Sequence, residues 1–139
     1  MNVPTEYDLD AQIGFLMRRA NQRHLAIFAT HIADVTPMQF AVLARLAQKG
    51  AMSQNALGRA VAMDAATIKG VVDRLRARDL IKGEPDDRDR RRVTLQISDA
   101  GQALFDRCVA PAFGISAQTL DPLNDAEQKV LLGLLARLG

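Results

Sequence analysis

The spacing of apolar residues divides the chain into helical stretches interrupted by one extended stretch. From about Leu9 to Ala33, apolar residues recur at Leu9, Ile13, Leu16, Ala20 and Ile27. Steps of three, four and seven predict a helix of about 25 residues, long enough in so short a chain to pack against a partner. Thr36-Pro37-Met38-Gln39 opens the next helix. Thr36 can cap it, Pro37 suits its first position, and Gln39 can return the capping bond. Phe40, Leu43, Leu46 and Ala47 follow at helical spacing, and Gly50 ends the helix. Ser53 caps a shorter helix, Gln54 to Ala60, with Leu57 inward. Ala62-Met63 turn the chain, and Asp64 caps a helix whose inward stripe is Ile68, Val71, Val72 and Leu75.

The period then changes. Leu80-Ile81-Lys82 predicts a short strand, and Gly83 to Arg91 a polar loop around Pro85 and the Asp86-Asp87 pair. Val93, Leu95 and Ile97 alternate with Thr94, Gln96 and Ser98, the period of a half-buried strand. Helical spacing returns after Ser98 or Asp99 with Ala103, Leu104, Arg107, Cys108 and Phe113, with a bend expected at Pro111. Asn124-x-x-Glu127 is a capping-box start for a last helix. It carries Val130, Leu131, Leu134, Leu135 and Leu138, apolar enough to be a surface between chains.

Residues 53–92 thus read as helix, turn, helix, strand and arginine-dense loop. That order is a helix-turn-helix followed by a hairpin wing, in which the second helix can enter a DNA major groove. The predicted fold is mainly α with a small β-hairpin wing. It is a single domain over 1–139, with the winged helix-turn-helix at about 36–98 and dimerisation helices at about 8–34 and 99–138. Ala65, Ala66, Lys69, Gly70, Asp73 and Arg74 form the outer face of the second helix. Its small N-terminal part lets backbone approach a groove, and Thr67 and Lys69 can reach base edges or phosphates. Ser53 and Gln54 at the start of the preceding helix join this DNA-facing set. A helix N-terminus favours a phosphate, which Asp64 partly opposes. Arg88, Arg90 and Arg91 at the hairpin tip suit the narrow, electronegative minor groove, with Asp89 expected to orient one of them. Each feature alone is also what a solvated helix face or a solvated charged loop would show; their adjacency is what favours DNA.

Composition bounds this picture. With 48% hydrophobic residues, 24% charged residues and 139 residues in all, the chain suits one globular domain without long disorder. Net charge is only +2, but nine of the 18 Lys and Arg lie between Lys69 and Arg92, four of them in Arg88 to Arg92. A local basic cluster on a near-neutral chain is compatible with site-specific nucleic-acid binding. One cysteine, Cys108, excludes an internal disulfide. The polar start does not read as a signal peptide, and no apolar run approaches the roughly 20 residues of a membrane span. A cytoplasmic protein without membrane contact is expected. No nucleophile–base pair, metal set or phosphate-cradling glycine loop points to an enzyme, a metal or a cofactor.

The helix Asp-x-x-Thr-Ile-x-x-Val-Val-Asp-Arg-Leu from Asp64 to Leu75, the wing Asp89-Arg90-Arg91 and the following Ile97-Ser98-Asp99-Ala100-Gly101 together resemble the MarR family of bacterial transcriptional regulators. The resemblance implies a winged-helix homodimer on a pseudo-palindromic double-stranded operator, usually a repressor released by a small ligand. It implies that Asp64 to Arg78 reads bases and that Arg91 enters the minor groove. Many members carry a larger polar residue where this chain has Ala65 and Gly70, which moves the base contacts toward Thr67 and Lys69. The stretch Thr67-Ile68-Lys69-Gly70-Val71-Val72 is similar to members controlling breakdown of aromatic acids, including hydroxycinnamates and their coenzyme A thioesters.

Three candidate roles lie outside this motif. His24, with Arg19 and Arg23 beside it, could face a pocket for an acidic effector; the alternative is that His24 and His31 are half-buried, hydrogen-bonded histidines at a helix interface. Cys108 reads as a small buried residue, with a redox sensor as the alternative. A winged helix used only to bind protein is the remaining alternative for the whole motif, but it should lack the arginines that this wing carries.

Overall fold

The computed structural model describes residues 6–89 and 91–139. In chain order they form a 3-10 turn Leu9–Ala11 and helices α1 (Ile13–His31) and α2 (Pro37–Lys49). Strand β1 (Met52–Ser53) and helices α3 (Gln54–Ala60) and α4 (Ala65–Ala77) follow. Strands β2 (Ile81–Pro85) and β3 (Val93–Ile97) lead to helices α5 (Asp99–Leu120) and α6 (Asp125–Leu138). The chain divides into two compact units. One holds α1 with Ala112–Gly139; the other is Ile32–Pro111.

Local chemistry sets the helix starts. Thr36 accepts from the Gln39 backbone while Gln39 returns a bond to the Thr36 N–H, the reciprocal box expected from the sequence. Ser53 and Asp64 cap α3 and α4, and Asn124 with Glu127 forms a second box on α6. The first helix differs from its expectation. Asp8 caps a 3-10 turn, and Gln12 is extended, so the α-helix begins only at Ile13 and runs 19 residues. The apolar spacing is continuous across Gln12, and periodicity carries no mark of a change from 3-10 to α winding.

Within Ile32–Pro111, Val42, Leu43, Leu46, Leu57, Ile68, Val71, Val72, Leu75 and Leu95 are buried as an aliphatic core, with Phe40 stacked on Phe105 at 5.7 Å. Leu104 and Cys108 are also buried, so the first half of α5 belongs to the winged unit. The sheet has three antiparallel strands in the order β1-β3-β2, where the sequence predicts a two-stranded hairpin. Two residues, Met52 and Ser53, pair with Leu95 and Thr94, too short a run for a period to show. β2 also continues through Gly83 to Pro85, opposite Val93. It is an edge strand, where a proline without N–H is tolerated. The strand therefore runs three residues further than expected.

Both ends of the helix-turn-helix pair close in the left-handed region. Ala62 (φ 56°) follows α3, with Met63 N–H donating to the Gly58 carbonyl at 2.8 Å; Asp79 (φ 58°) follows α4, with Leu80 N–H donating to the Leu75 carbonyl at 3.0 Å. The second closure leads into the tightest point of the unit. The Leu80 carbonyl accepts from Ser98 N–H at 3.0 Å, Ser98 Oγ donates to the Asp79 carbonyl at 2.7 Å, and Gly101 N–H donates to Ser98 Oγ at 3.0 Å. A methyl group on Gly101 would fall inside the radius of the Leu80 carbonyl oxygen and 2.8 Å from Ile97 Cγ1.

Gly101→Ala is therefore expected to lower stability by about 1–3 kcal/mol, since backbone and not a side chain must move. Ala62→Gly relieves a left-handed alanine and is expected to be neutral or stabilising by up to about 1 kcal/mol. Urea unfolding of both variants checks the pair, and equal midpoints for Gly101→Ala and the native chain would refute the close approach.

Candidate nucleic-acid interface

The outer face of α4 is built on its cap. Asp64 Oδ1 accepts from Thr67 N–H at 2.7 Å. Bonds from the Thr67 backbone and then its hydroxyl hold the Asp64 carboxyl below its ordinary value of 3.8. Ala65, Ala66, Lys69 and Arg74 are exposed, whereas Thr67 and Gly70 are half-buried. Lys69 Nζ pairs with Asp73 Oδ2 at 2.7 Å. Exposed pairs one helical turn apart are worth only about 0.3–0.5 kcal/mol, so Lys69 can exchange this partner for a nucleic-acid acceptor. Arg74 folds back over Gly70, its Nη1 3.2 Å from where a β-carbon there would lie. The backbone at Gly70 is thus open only when Arg74 swings aside.

The wing's carboxylates shape its loop. Asp86 Oδ1 accepts from Arg88 N–H at 2.9 Å, and Asp89 Oδ1 accepts from Arg91 N–H at 3.1 Å and Arg91 Nε–H at 3.2 Å. Asp86 N–H donates to the Arg92 carbonyl and Arg92 N–H to that of Asp89, closing the turn. Asp89 does orient an arginine, and that arginine is Arg91. The Arg91 side chain nevertheless stays 92% exposed, so its terminal amino groups are presented outward from an anchored Nε. Arg88 is exposed at the same tip; Arg90 lies outside the described residues.

Ser53 and Gln54 lie at the start of α3, and the β1–β3 pairing of Ser53 with Thr94 sets them beside the base of the wing. Between them is a cleft of about 510 Å³ lined by Ser53, Gln54, Asn55, Arg59, Arg92 and Val93. Asn55, Arg59 and Arg92 are not among the residues expected from sequence. The two-residue strand that pairs with β3 leads directly into α3, and no periodic signal announces it.

The α1 candidates have defined structural partners. Arg23 donates from Nη1 to the Thr119 carbonyl and from Nη2 to those of Gln118 and Asp121, at 2.8, 2.8 and 3.0 Å. It caps the C-terminal end of α5, where unpaired carbonyls carry partial negative charge. His24 Nδ1 lies 2.8 Å from Thr119 Oγ1 and His31 Nε2 2.8 Å from Gln118 Oε1, the hydrogen-bonded arrangement weighed as the alternative to a ligand pocket. His24 is half-buried and His31 exposed. Arg19 lies over the Phe15 ring, 5.8 Å from its centroid. Cys108 is 5% exposed, and burial, then the charge of Asp34, push its thiol above the ordinary 9.0. A protonated, buried thiol is a poor peroxide sensor. Among the described residues no group of three or more His, Cys, Asp or Glu side chains could hold a metal, and no helix is long and apolar enough to cross a membrane.

A short helix, a tight turn, a second helix with a solvent-facing outer row and an arginine-tipped hairpin define a winged helix-turn-helix protein. The sequence pattern of the MarR family matches residues 33–92. The HTH-type transcriptional repressor NicR of Pseudomonas putida is 41% identical over 136 residues, spanning 96% of this chain and 86% of NicR. The crystal structure of a probable transcriptional regulator from Pseudomonas aeruginosa superposes with a TM-score of 0.92 at 51% identity, covering 95% of this chain and all of that one. Bordetella bronchiseptica BpsR, whose DNA binding is regulated by 6-hydroxynicotinic acid, superposes with a TM-score of 0.92 at 39% identity, covering 96% of each chain. The chain belongs to the MarR family.

Two outcomes are expected from this bonding. A carboxyl with a lowered folded-state pKa adds stability above its unfolded value and loses it as pH falls through the folded one. The Thr67 amide resonance should therefore titrate with a midpoint below 3.8; a midpoint at or above it would refute the cap. Arg23→Gln should cost roughly 1–2 kcal/mol through the exposed carbonyls of α5, read by thermal unfolding.

Proposed function

We propose that the chain is a homodimeric, sequence-specific DNA-binding repressor, acting in the cytoplasm, whose hold on a pseudo-palindromic operator is released by a small hydroxylated aromatic or heteroaromatic acid. The observation that carries this reading is Arg91, exposed yet anchored by Asp89 at the tip of a wing beside the small outer face of α4. An arginine held this way reaches a minor groove with little conformational entropy left to lose. Thr67 and Lys69 are the side chains on α4 for base edges, with Arg74 and Arg88 on phosphates.

A second copy is supported by apolar surface that a single chain leaves in water. Ile13, Leu16 and Met17 on α1 and Val130, Leu134 and Leu138 on α6 are exposed, Ile13 by 60% and Leu138 by 70%. A twofold dimer would set its two α4 helices about 34 Å apart on successive major-groove faces. The effector class draws on the likeness to BpsR and its 6-hydroxynicotinic acid, which favours a free acid over a coenzyme A thioester. Arg19, Arg23 and His24 are the residues assigned to its carboxylate, and engaging Arg23 would draw it from the carbonyls at the end of α5.

Fluorescence anisotropy on the promoter of the chain's own gene tests this. Arg91→Ala should weaken binding to every sequence and flatten the salt dependence by about 0.9 for each phosphate that the variant leaves unneutralised. Thr67→Ala and Lys69→Ala should instead change preference at single base pairs by about 1–3 kcal/mol. Native-strength operator binding by Arg91→Ala in moderate salt would remove the wing assignment. 6-Hydroxynicotinic acid should raise the unfolding temperature in a concentration-dependent way and release the DNA. Stabilisation by hydroxycinnamoyl-coenzyme A alone would move the effector to the thioester class.

A further inference from the structure

We infer that the cleft between the start of α3 and the base of the wing is a separate seat for the DNA backbone, with a phosphate held between Arg59 and Arg92. The inference rests on the DNA-binding reading above. Its basis is that two arginines share the lining of one cleft without a carboxylate among its residues. Lys69, Lys82 and Arg91 each pair with a carboxylate, Asp73, Glu84 and Asp89. The Arg59 and Arg92 guanidinium groups pair with none among the described residues, and no carboxylate lines their cleft. Two positive charges in one concavity repel each other, and an anion between them removes that cost.

The remaining lining suits the same ligand. Ser53 Oγ accepts from Ala56 N–H, so its hydroxyl hydrogen is available to donate, and Gln54 and Asn55 add amide donors. At about 510 Å³ the cleft exceeds a single phosphate and suits a length of sugar-phosphate chain. Its place in the unit fits as well. Where α4 occupies a major groove and the wing tip a minor one, the strand dividing the two grooves passes between them. The cleft joins α3, which carries Arg59, to the base of the wing, where Arg92 precedes β3.

The test is the salt dependence of operator binding by Arg59→Gln, Arg92→Gln and the double variant, with walking methylphosphonate substitutions that neutralise one operator phosphate at a time. For one cleft phosphate per protomer, the double variant should flatten the slope of log K against log salt by about 1.8 per dimer. That is roughly a 30-fold loss at 0.15 M salt relative to 1 M. One methylphosphonate position per half-site should weaken the native protein and leave the double variant unaffected. An unchanged slope, or losses that simply add at every phosphate, would overturn the assignment while the wing and α4 readings stand. If inorganic phosphate perturbs the two arginine side-chain resonances but the DNA measurements are unchanged, the cleft holds a free anion and the backbone assignment fails. If the native protein does not bind its promoter at any salt, this inference and the repressor reading fall together.

Discussion

Four elements of the winged unit meet at Leu80. Its N–H ends α4, its carbonyl receives Ser98 at the exit of β3, and Gly101 at the start of α5 lies against that same carbonyl. The Ser98 hydroxyl ties the knot by donating to Asp79 and accepting from Gly101. Every bond here is short and has a fixed direction, so the angle at which β2 leaves α4 is a property of backbone geometry. That angle decides where the wing lies relative to the outer face of α4. A larger residue at 101 would push the start of α5 away and misplace a wing tip several residues distant, without touching any residue that faces nucleic acid.

Local chemistry is legible in the sequence, and juxtaposition is not. Thr36 with Gln39, Ser53, Asp64 and Asn124 with Glu127 are readable as caps because each side chain satisfies a backbone group no more than three residues away. The half-buried period of β3 is readable for the same reason. The bonds of Arg23 are not legible, because an arginine beside a histidine on a helix has no local partner. Its carbonyl acceptors lie 95 to 98 residues further along the chain. The Arg59–Arg92 cleft escapes likewise, since it depends on β1, whose two residues carry no pattern. Pro85 reads as part of a loop, although an edge strand accepts a proline where a central strand does not.

A net charge of +2 would not by itself attract a polyanion. In the winged unit, however, several acids have local tasks. Asp64 caps α4, Asp86 and Asp89 fold the wing loop, and Asp73 and Glu84 sit beside Lys69 and Lys82. Carboxylates bound to backbone N–H groups are partly neutralised where they stand, so they offset less of the arginines' outward field. With a screening length of about 8 Å at physiological salt, a ligand at the wing tip feels the groups within that radius and little of the chain's total.

The same local logic bounds how an effector can act. An acid that bound the DNA-competent and DNA-incompetent arrangements equally well would stabilise the protein and release nothing. Moving a dimer from 99% to 1% DNA-competent requires a preference of about 10⁴-fold, roughly 5.5 kcal/mol. One carboxylate meeting one arginine in water supplies about 1 kcal/mol or less. The effector must therefore be desolvated where it binds, or change the bonds of more than one protein group at once. Arg23 is suited to the second route, because a single guanidinium closes three carbonyls at the end of α5. A carboxylate that drew it away would expose all three, so a small acid acting there would alter several bonds by engaging one side chain.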